Sequence, residues 1–412
     1  MPGITFSTQD ANALRTFYTD SYDDLAFRDH PMMGICEKKE EYGSVVSVNM
    51  SYAYTAGRGG TFSTAQANES DIPRAPFLVT PARTYGLETV QNTDMELSKS
   101  KKGAVVNLFQ DAIEKSMRAC GDDLEALLFG DGSGTLGTIS SFTNPSGVIY
   151  VMTLTNPSDA YKFFINQVLV SKATAFAAAL DTGTAIVTAV DPIAGTVTAN
   201  GQSSWAAVAG HVLGYQGTMA ASTSQQTFVG LAGWIPDDLN RPGTSDSFFG
   251  VNRSAAGVLL AGHYKNGTAL NVQQAGSSVL YSTGNVSGAK PDTWMMNFSN
   301  YEKYQTLVDT KGRNVQAKGD GITTLYDGLK MQGPKGTVTV IPATFCPADH
   351  MYILDSSTWK LGAPDGEIIK PATKNGEPVE LSTSDANEVR FRALGFFYCT
   401  APGYNGVARV AA

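Results

Sequence analysis

Charge is scarce in this chain. Only 17% of its 412 residues are Asp, Glu, Lys or Arg, against about 25% in ordinary globular proteins. Gly, Ala, Ser and Thr make up the shortfall, a composition suited to β-structure with polar, weakly charged surfaces. Positive charge is the scarcer sign: 30 Lys and Arg face 38 Asp and Glu, a formal net charge of −8. A dedicated nucleic-acid binder needs clustered cations to neutralise phosphates, and no basic arm is present. The first 43 residues hold Arg15, Arg28, Lys38 and Lys39 against eight carboxylates.

Cysteine is sparse as well. Cys36, Cys120, Cys346 and Cys399 lie far apart with no C-x-x-C pair. Zinc or redox pairing is therefore not expected; four buried thiols in a reducing compartment are. No apolar run approaches the roughly 20 residues that cross a bilayer. The opening MPGITFSTQDANALR has no basic-then-apolar signal region.

Catalytic signatures are missing too. No Gly-Lys dipeptide occurs, so there is no G-x-x-x-x-G-K-[ST] loop, and neither G-x-S-x-G nor H-E-x-x-H is found. His30, His211, His263 and His350 are scattered and read as surface or satisfied core residues. Asp122-Asp123 falls mid-helix and reads as a solvated face; Asp237-Asp238 follows a proline and reads as a turn. Neither pair shows the third ligand or the raised pKa that metal or acid–base chemistry requires.

One glycine pattern raises a question. Gly132 to Gly137, GSGTLG, fits G-x-G-x-x-G, the cradle of a dinucleotide pyrophosphate. Such a loop must follow a strand and open a helix. Here the order is inverted: a long helix ends at the glycines and an extended segment follows. The carbonyl end of a helix repels phosphate. The motif reads as a helix stop and tight turn, and no cofactor is expected.

What is present comes in outstretched pieces. Residues 8–28 carry Leu14, Phe17, Tyr18 and Leu25 on one helical stripe, within an arm that has no core of its own and must dock on something else. Val46, Val48, Met50, Tyr52 and Tyr54 then alternate with polar residues, a strand with one apolar face. The chain returns extended from Phe77, with Pro73, Pro76 and Pro81 keeping it out of a central sheet. The pattern predicts a long hairpin over 44–97, whose apolar face needs cover, for instance from another copy. Residues 104–129 follow i, i+3, i+4 spacing and predict the strongest helix. Over 148–222 short β-runs alternate with turns, a small β-module. Mixed α/β follows, with Trp294 to Met296 a buried strand, Ser299 and Glu302 a capping box, and strands at 337–341, 351–354 and 389–397.

That order of parts resembles the major capsid proteins of tailed bacteriophages, the Johnson fold of the Hong Kong 97 type. PFLVTPARTYGLETV resembles the return strand of the extended hairpin loop, and DAIEKSMRACGDDLEALLFGDGSGTLGTIS the spine helix and its glycine turn. GLAGWIPDD, WMMNFSNYEKYQTLVDTKGR and MYILDSSTWKLG resemble segments of the peripheral and axial domains. The resemblance implies an α+β chain divided as an N-terminal arm (1–43), an extended hairpin loop (44–97), spine helix and peripheral domain (98–147), an inserted β-domain (148–222), more peripheral domain (223–290), an axial domain (291–375) and returning C-terminal strands (376–412).

The implied function is structural, not enzymatic. Hexamers and pentamers would form an icosahedral shell around double-stranded DNA, assembled in a bacterial cytoplasm with a scaffolding protein, a portal and optional decoration proteins, without a membrane. An encapsulin-like compartment shares the fold and stays open; an enzyme using Gly132 to Gly137 is the remote alternative. Contacts between subunits are expected at Tyr18, Tyr52, Tyr54, Arg58, Gly59, Phe62 and Phe77, and helix packing at Phe109, Ile113, Met117, Leu124 and Leu128. The lack of a long N-terminal extension points to a separate scaffold. Some relatives weld neighbours through a hairpin lysine; here no Lys occurs between Lys39 and Lys99, so such crosslinks are not expected.

Overall fold

The computed structural model describes residues 30–92, 108–144, 147–176, 179–201, 205–219, 227–237, 243, 247–310, 330–372, 379–382 and 384–411. The expected arm helix over 8–28, with Tyr18, and the stretch 93–107 lie outside them.

The described chain opens with a short helix, α1 (Pro31–Ile35), and strand β1 (Glu37–Glu40). Both dock on the rest of the same chain. Met32 and Met33 are buried in the main core. β1 pairs in parallel with β16 (Trp359–Ala363), where Lys360 bonds Glu37, and Tyr398 donates to Glu41 (2.9 Å). This part of the arm therefore has an intramolecular seat, which its carboxylate-rich sequence did not suggest.

The hairpin is shorter than its pattern predicts. β2 (Val46–Ser51) pairs with β3 (Arg74–Val79), and between them lies a two-turn helix, α2 (Phe62–Ala67). The next strand, β4 (Ala82–Gln91), leaves the hairpin. It pairs along its whole length with β19 (Ala386–Cys399), from Gln91 opposite Ala386 to Ala82 opposite Gly395. The apolar face of the hairpin base is covered from within. Val48, Met50, Phe77 and Val79 join the main core, with the Phe77 ring 5.5 Å from Trp234 and 6.3 Å from Phe248.

α3 (Leu108–Phe129) is the long helix, about 33 Å at 1.5 Å per residue. Its stripe of Ile113, Met117, Leu124 and Leu128 is buried. Asp122 and Asp123 do not form a solvated face. Asp122 meets His30 (3.3 Å), and burial, helped by Asp122, pushes the Asp123 carboxyl up to about 7.

Beyond the glycine turn the chain builds a closed barrel. Its strands are β5 (Gly137–Thr143), β6 (Ile149–Leu154), β7 (Val168–Lys172), β8 (Ala185–Asp191), β9 (Thr196–Gly201) and β10 (Val212–Tyr215), in the order β10-β5-β6-β9-β8-β7 among the described residues. The first strand starts at Gly137, ahead of the boundary expected at 148. Tyr150, Met152, Leu169, Val187, Val197 and Trp205 fill a core separate from the main one.

The remainder is mixed. Helices α4 (Leu231–Trp234) and α5 (Gly257–Ala261) precede β11 (His263–Asn266), α6 (Val272–Gly284), β12 (Thr293–Met296) and α7 (Phe298–Thr310). Then come β13 (Lys330–Gly333), β14 (Gly336–Pro342), β15 (His350–Leu354), β16, β17 (Ile369–Pro371), β18 (Val379–Glu380), β19 and β20 (Gly406–Arg409). One sheet runs β11-β20-β15-β12-β14-β13 under α6 and α7; the other runs β1-β16-β19-β17, with β4 and β18 also on β19. The long helix packs on this second sheet, placing the main core between them.

The α7 cap differs from the expected Ser299–Glu302 box. Asn297 Oδ1 accepts the Ser299 amide (3.0 Å) while its Nδ2 donates to the Cys346 carbonyl (2.9 Å). Asn297→Ala should cost about 1–2 kcal/mol, whereas exposed Ser299→Ala should stay within about 0.5 kcal/mol. Equal shifts in urea unfolding midpoint would restore the box.

Candidate assembly site

The tip of the hairpin is built but unburied. None of residues 52–73 is buried in the chain. Tyr54 is 80% exposed and Phe62 82%, although large aromatic surface is what a chain gains most by covering. Yet the tip has fixed local structure. Thr61 caps α2 by accepting the Thr64 amide (3.3 Å), and Asn68 donates to the Arg58 carbonyl (2.9 Å). The Arg58 guanidinium lies 6.0 Å from the Tyr54 ring centroid. A Cβ on Gly59 would stand 2.8 Å from the Ala65 nitrogen, so this glycine lets the loop close on α2. A six-residue helix with no buried residue is not stable by itself in water.

The expected contact residues therefore separate. Tyr54, Arg58, Gly59 and Phe62 share the exposed tip. Tyr52 is half-buried against the main core, and Phe77 is fully buried there, so Phe77 is corrected from a subunit contact to a core residue. Among the helix residues, Ile113, Met117, Leu124 and Leu128 face the core; Phe109 lies in α3, with its side chain outside the described set.

The glycine motif is no phosphate cradle. The Ser133 amide is bonded to Asp131 (2.9 Å), the Thr135 amide to Ser133 Oγ (3.3 Å) and the Leu136 amide to the Leu213 carbonyl (2.8 Å). These amides are used, and a carboxylate occupies the turn.

Ionisable groups cluster where the sequence showed none. His350 sits between Asp349 (2.7 Å) and Asp237 (3.3 Å), whose carboxylates outweigh burial and raise it to about 9. Asp237 is thus a buried partner, not an open turn. His211 and Ser171 Oγ both bind Asp181, at 2.6 and 2.5 Å. In this second cluster the serine meets the carboxylate and not the imidazole, so the serine–imidazole pair of a nucleophilic triad is not formed. Sequence reasoning also missed Glu125. It is fully buried on α3 and accepts the Met32 and Met33 amides at 2.8 and 3.1 Å. Burial raises its carboxyl to about 8, those amides pulling the other way. The available signal was a lone carboxylate between Leu124 and Leu128 on the apolar stripe.

The four cysteines are buried thiols. Among the described residues no group of three or more His, Cys, Asp or Glu is placed to hold a metal ion. No helix among them is long and apolar enough to cross a membrane.

Solved capsid and encapsulin structures match most of the chain, at TM-scores below 0.5. A structure of the cyanophage A-1(L) capsid asymmetric unit matches over 93% of both chains at 10% identity, TM-score 0.49. The capsid of a native GTA particle matches over 92% of this chain and 90% of its own at 9% identity, TM-score 0.48. The holo-SrpI encapsulin complex from Synechococcus elongatus matches over 93% and 88% at 7% identity, TM-score 0.41. No protein-family model matches the chain, and no curated protein does.

Proposed function

We propose that this chain is the shell-building subunit of a tailed-phage-type capsid. Copies gather as hexamers and pentamers into an icosahedral head around double-stranded DNA, with a scaffolding protein and a portal as assembly partners. One observation carries the reading: a capped, aromatic hairpin tip with no buried residue, on a base knitted into the main core. Such a lobe gains stability only when something covers it, and a neighbouring copy does so in a closed shell. The net charge of −8 suits a container that must release its DNA. Arg58 stands ready for a neighbour's carboxylate.

Expression in a bacterial host should give closed shells by electron microscopy, with DNA as the contents of the virion. Denaturing gels should show a monomer band, because residues 44–97 contain no lysine to form a weld. Phe62→Asp should leave the monomer's stability within about 0.5 kcal/mol, as Phe62 is 82% exposed, and should abolish shells. Shells of unchanged yield from this variant would remove the tip from assembly. A protein cargo in place of DNA would move the reading to a cellular compartment.

A further inference from the structure

Positive charge is the scarcer sign in this chain, yet it gathers on one face of the sheet built around β19. A Cβ on Gly86 would meet the Ser116 carbonyl oxygen of α3 at 3.1 Å, so that side of β4 faces the long helix. Arg83, Tyr85 and Leu87 are exposed on the other side. Leu394, Arg392 and Arg390 of β19 stand opposite them in that order, and Lys370 of β17 stands opposite Arg392 on its far edge.

The fold neutralises only part of this charge. Arg390 donates to both Glu388 oxygens (2.8 and 3.4 Å). Lys370 donates to Asp365 and to the Pro364 carbonyl, each at 3.3 Å. Arg83 and Arg392 are left over. Neither guanidinium finds an acceptor among the described residues, and the buried Arg392 Nε donates to nothing. Buried donors are normally satisfied, and a like charge directly opposite, as Lys370 is to Arg392, destabilises a sheet. The two free arginines are diagonal neighbours, about 7–8 Å apart.

An anion with apolar surface beside it fits this face. A phosphate backbone brings the charge but nothing apolar for Tyr85 and Leu87. The chain itself carries both. Glu69, Ser70, Asp71 and Ile72 are exposed on the hairpin, and neither carboxylate has a partner among the described residues. In an extended segment side chains i and i+2 share one face about 7 Å apart, so Glu69 and Asp71 match the spacing of Arg83 and Arg392. Ile72 brings apolar surface to the same contact. The two patches differ, so their union between copies is head-to-tail and can close as a ring. We infer that the face of Arg83 and Arg392 is the seat for Glu69 and Asp71 of the next copy, an inference that rests on the shell reading above.

The test uses the full-length chain with Arg83→Glu and Arg392→Glu, with Glu69→Arg and Asp71→Arg, and with all four substitutions. Arg392→Glu sets an opposite charge across from Lys370, so the monomer should keep its unfolding midpoint. Shells are counted by sedimentation and electron microscopy. Either pair of substitutions should abolish them and all four together should restore them, because like charges across a contact repel and the swap pairs them again. Shells at the wild-type yield from either pair overturn the contact and leave the shell reading intact. The same yield with less DNA inside from the arginine pair gives that face to phosphate and overturns the contact as well. Loss in both pairs without recovery in the fourfold chain overturns this pairing of residues. If no chain forms shells, light scattering decides. Rings that vanish and return in the same order support the seat and overturn the shell; monomers throughout overturn both.

Discussion

Gly134→Ala should lower the unfolding free energy by roughly 2–5 kcal/mol, the sum of a left-handed backbone cost and an overpacking cost. Gly134 has φ +76°, where a side chain is strained. A Cβ there would also stand 2.5 Å from the Thr218 carbonyl oxygen and 2.8 Å from its carbon. The opposing segment is equally tight: a Cβ on Gly214 would meet the Gly134 oxygen at 2.5 Å. The two connections between barrel and body cross backbone to backbone at this neck, and no side-chain rotamer can relieve the clash. Gly210 separates the two costs, with φ +90° but nothing within 4 Å of its Cβ. Gly210→Ala should lose only about 1–2 kcal/mol. Trp205 is buried in the barrel core, and Trp234 and Trp359 in the main core. Denaturant unfolding followed by fluorescence, with Trp205→Phe as reference, should therefore show the barrel signal lost first in Gly134→Ala. Equal destabilisation by the two substitutions would mean that the neck relaxes and the close crossing is unimportant. This also explains why GSGTLG imitates a nucleotide loop: the glycines let backbone approach backbone, not phosphate.

Local pattern carried the elements whose burial is periodic. The stripe from Ile113 to Leu128 and the buried strand at Trp294 to Met296 were legible for that reason. Pairing between distant segments was not. β4 follows β3 after two residues, so hairpin logic favours a local partner, yet its hydrogen bonds go to β19, about 300 residues further along the chain. Alternation says which face of β4 is apolar and nothing about which edge finds it. Phe77 was misplaced because Trp234 and Phe248, which cover it, lie in a one-turn helix and an isolated bridge, too short to show a period. The barrel's early start was hidden because β5 closes only against β6 and the far strand β10. The exposed tip was legible since Tyr54 and Phe62 stand among polar and glycine residues. The pairs His30–Asp122, His211–Asp181 and His350–Asp237 were not, because each joins residues at least 30 positions apart.

Glu125 makes stability fall as pH rises, and the sign follows from its direction of shift. The unfolded carboxyl titrates near 4.5 and the buried one near 8. The fold therefore favours the protonated acid. The stability this contributes is fully present below about pH 4.5 and is lost as pH rises through about 8. At 1.36 kcal/mol per unit the difference is on the order of 3–5 kcal/mol. Asp122 raises the carboxyl further, while the Met32 and Met33 amides hold part of the shift back. Asp123, raised to about 7, and His350, raised to about 9, have the same sign. Glu125→Gln should thus flatten the slope between pH 5 and 8 without removing the fold, since glutamine keeps an acceptor and never ionises. Glu125→Ala is the harsher change. Measured at pH 5, where the native acid is neutral, it leaves two buried amides without acceptors, at about 1–3 kcal/mol each, and should free the segment from His30 to Glu41 for proteolysis. A glutamine variant with the wild-type pH slope would show that burial of Glu125 is not its source. A protease-resistant alanine variant would show that β1 pairing and the Met32 and Met33 contacts hold the arm unaided. Otherwise the carboxyl on the long helix fixes the point where the arm joins the body.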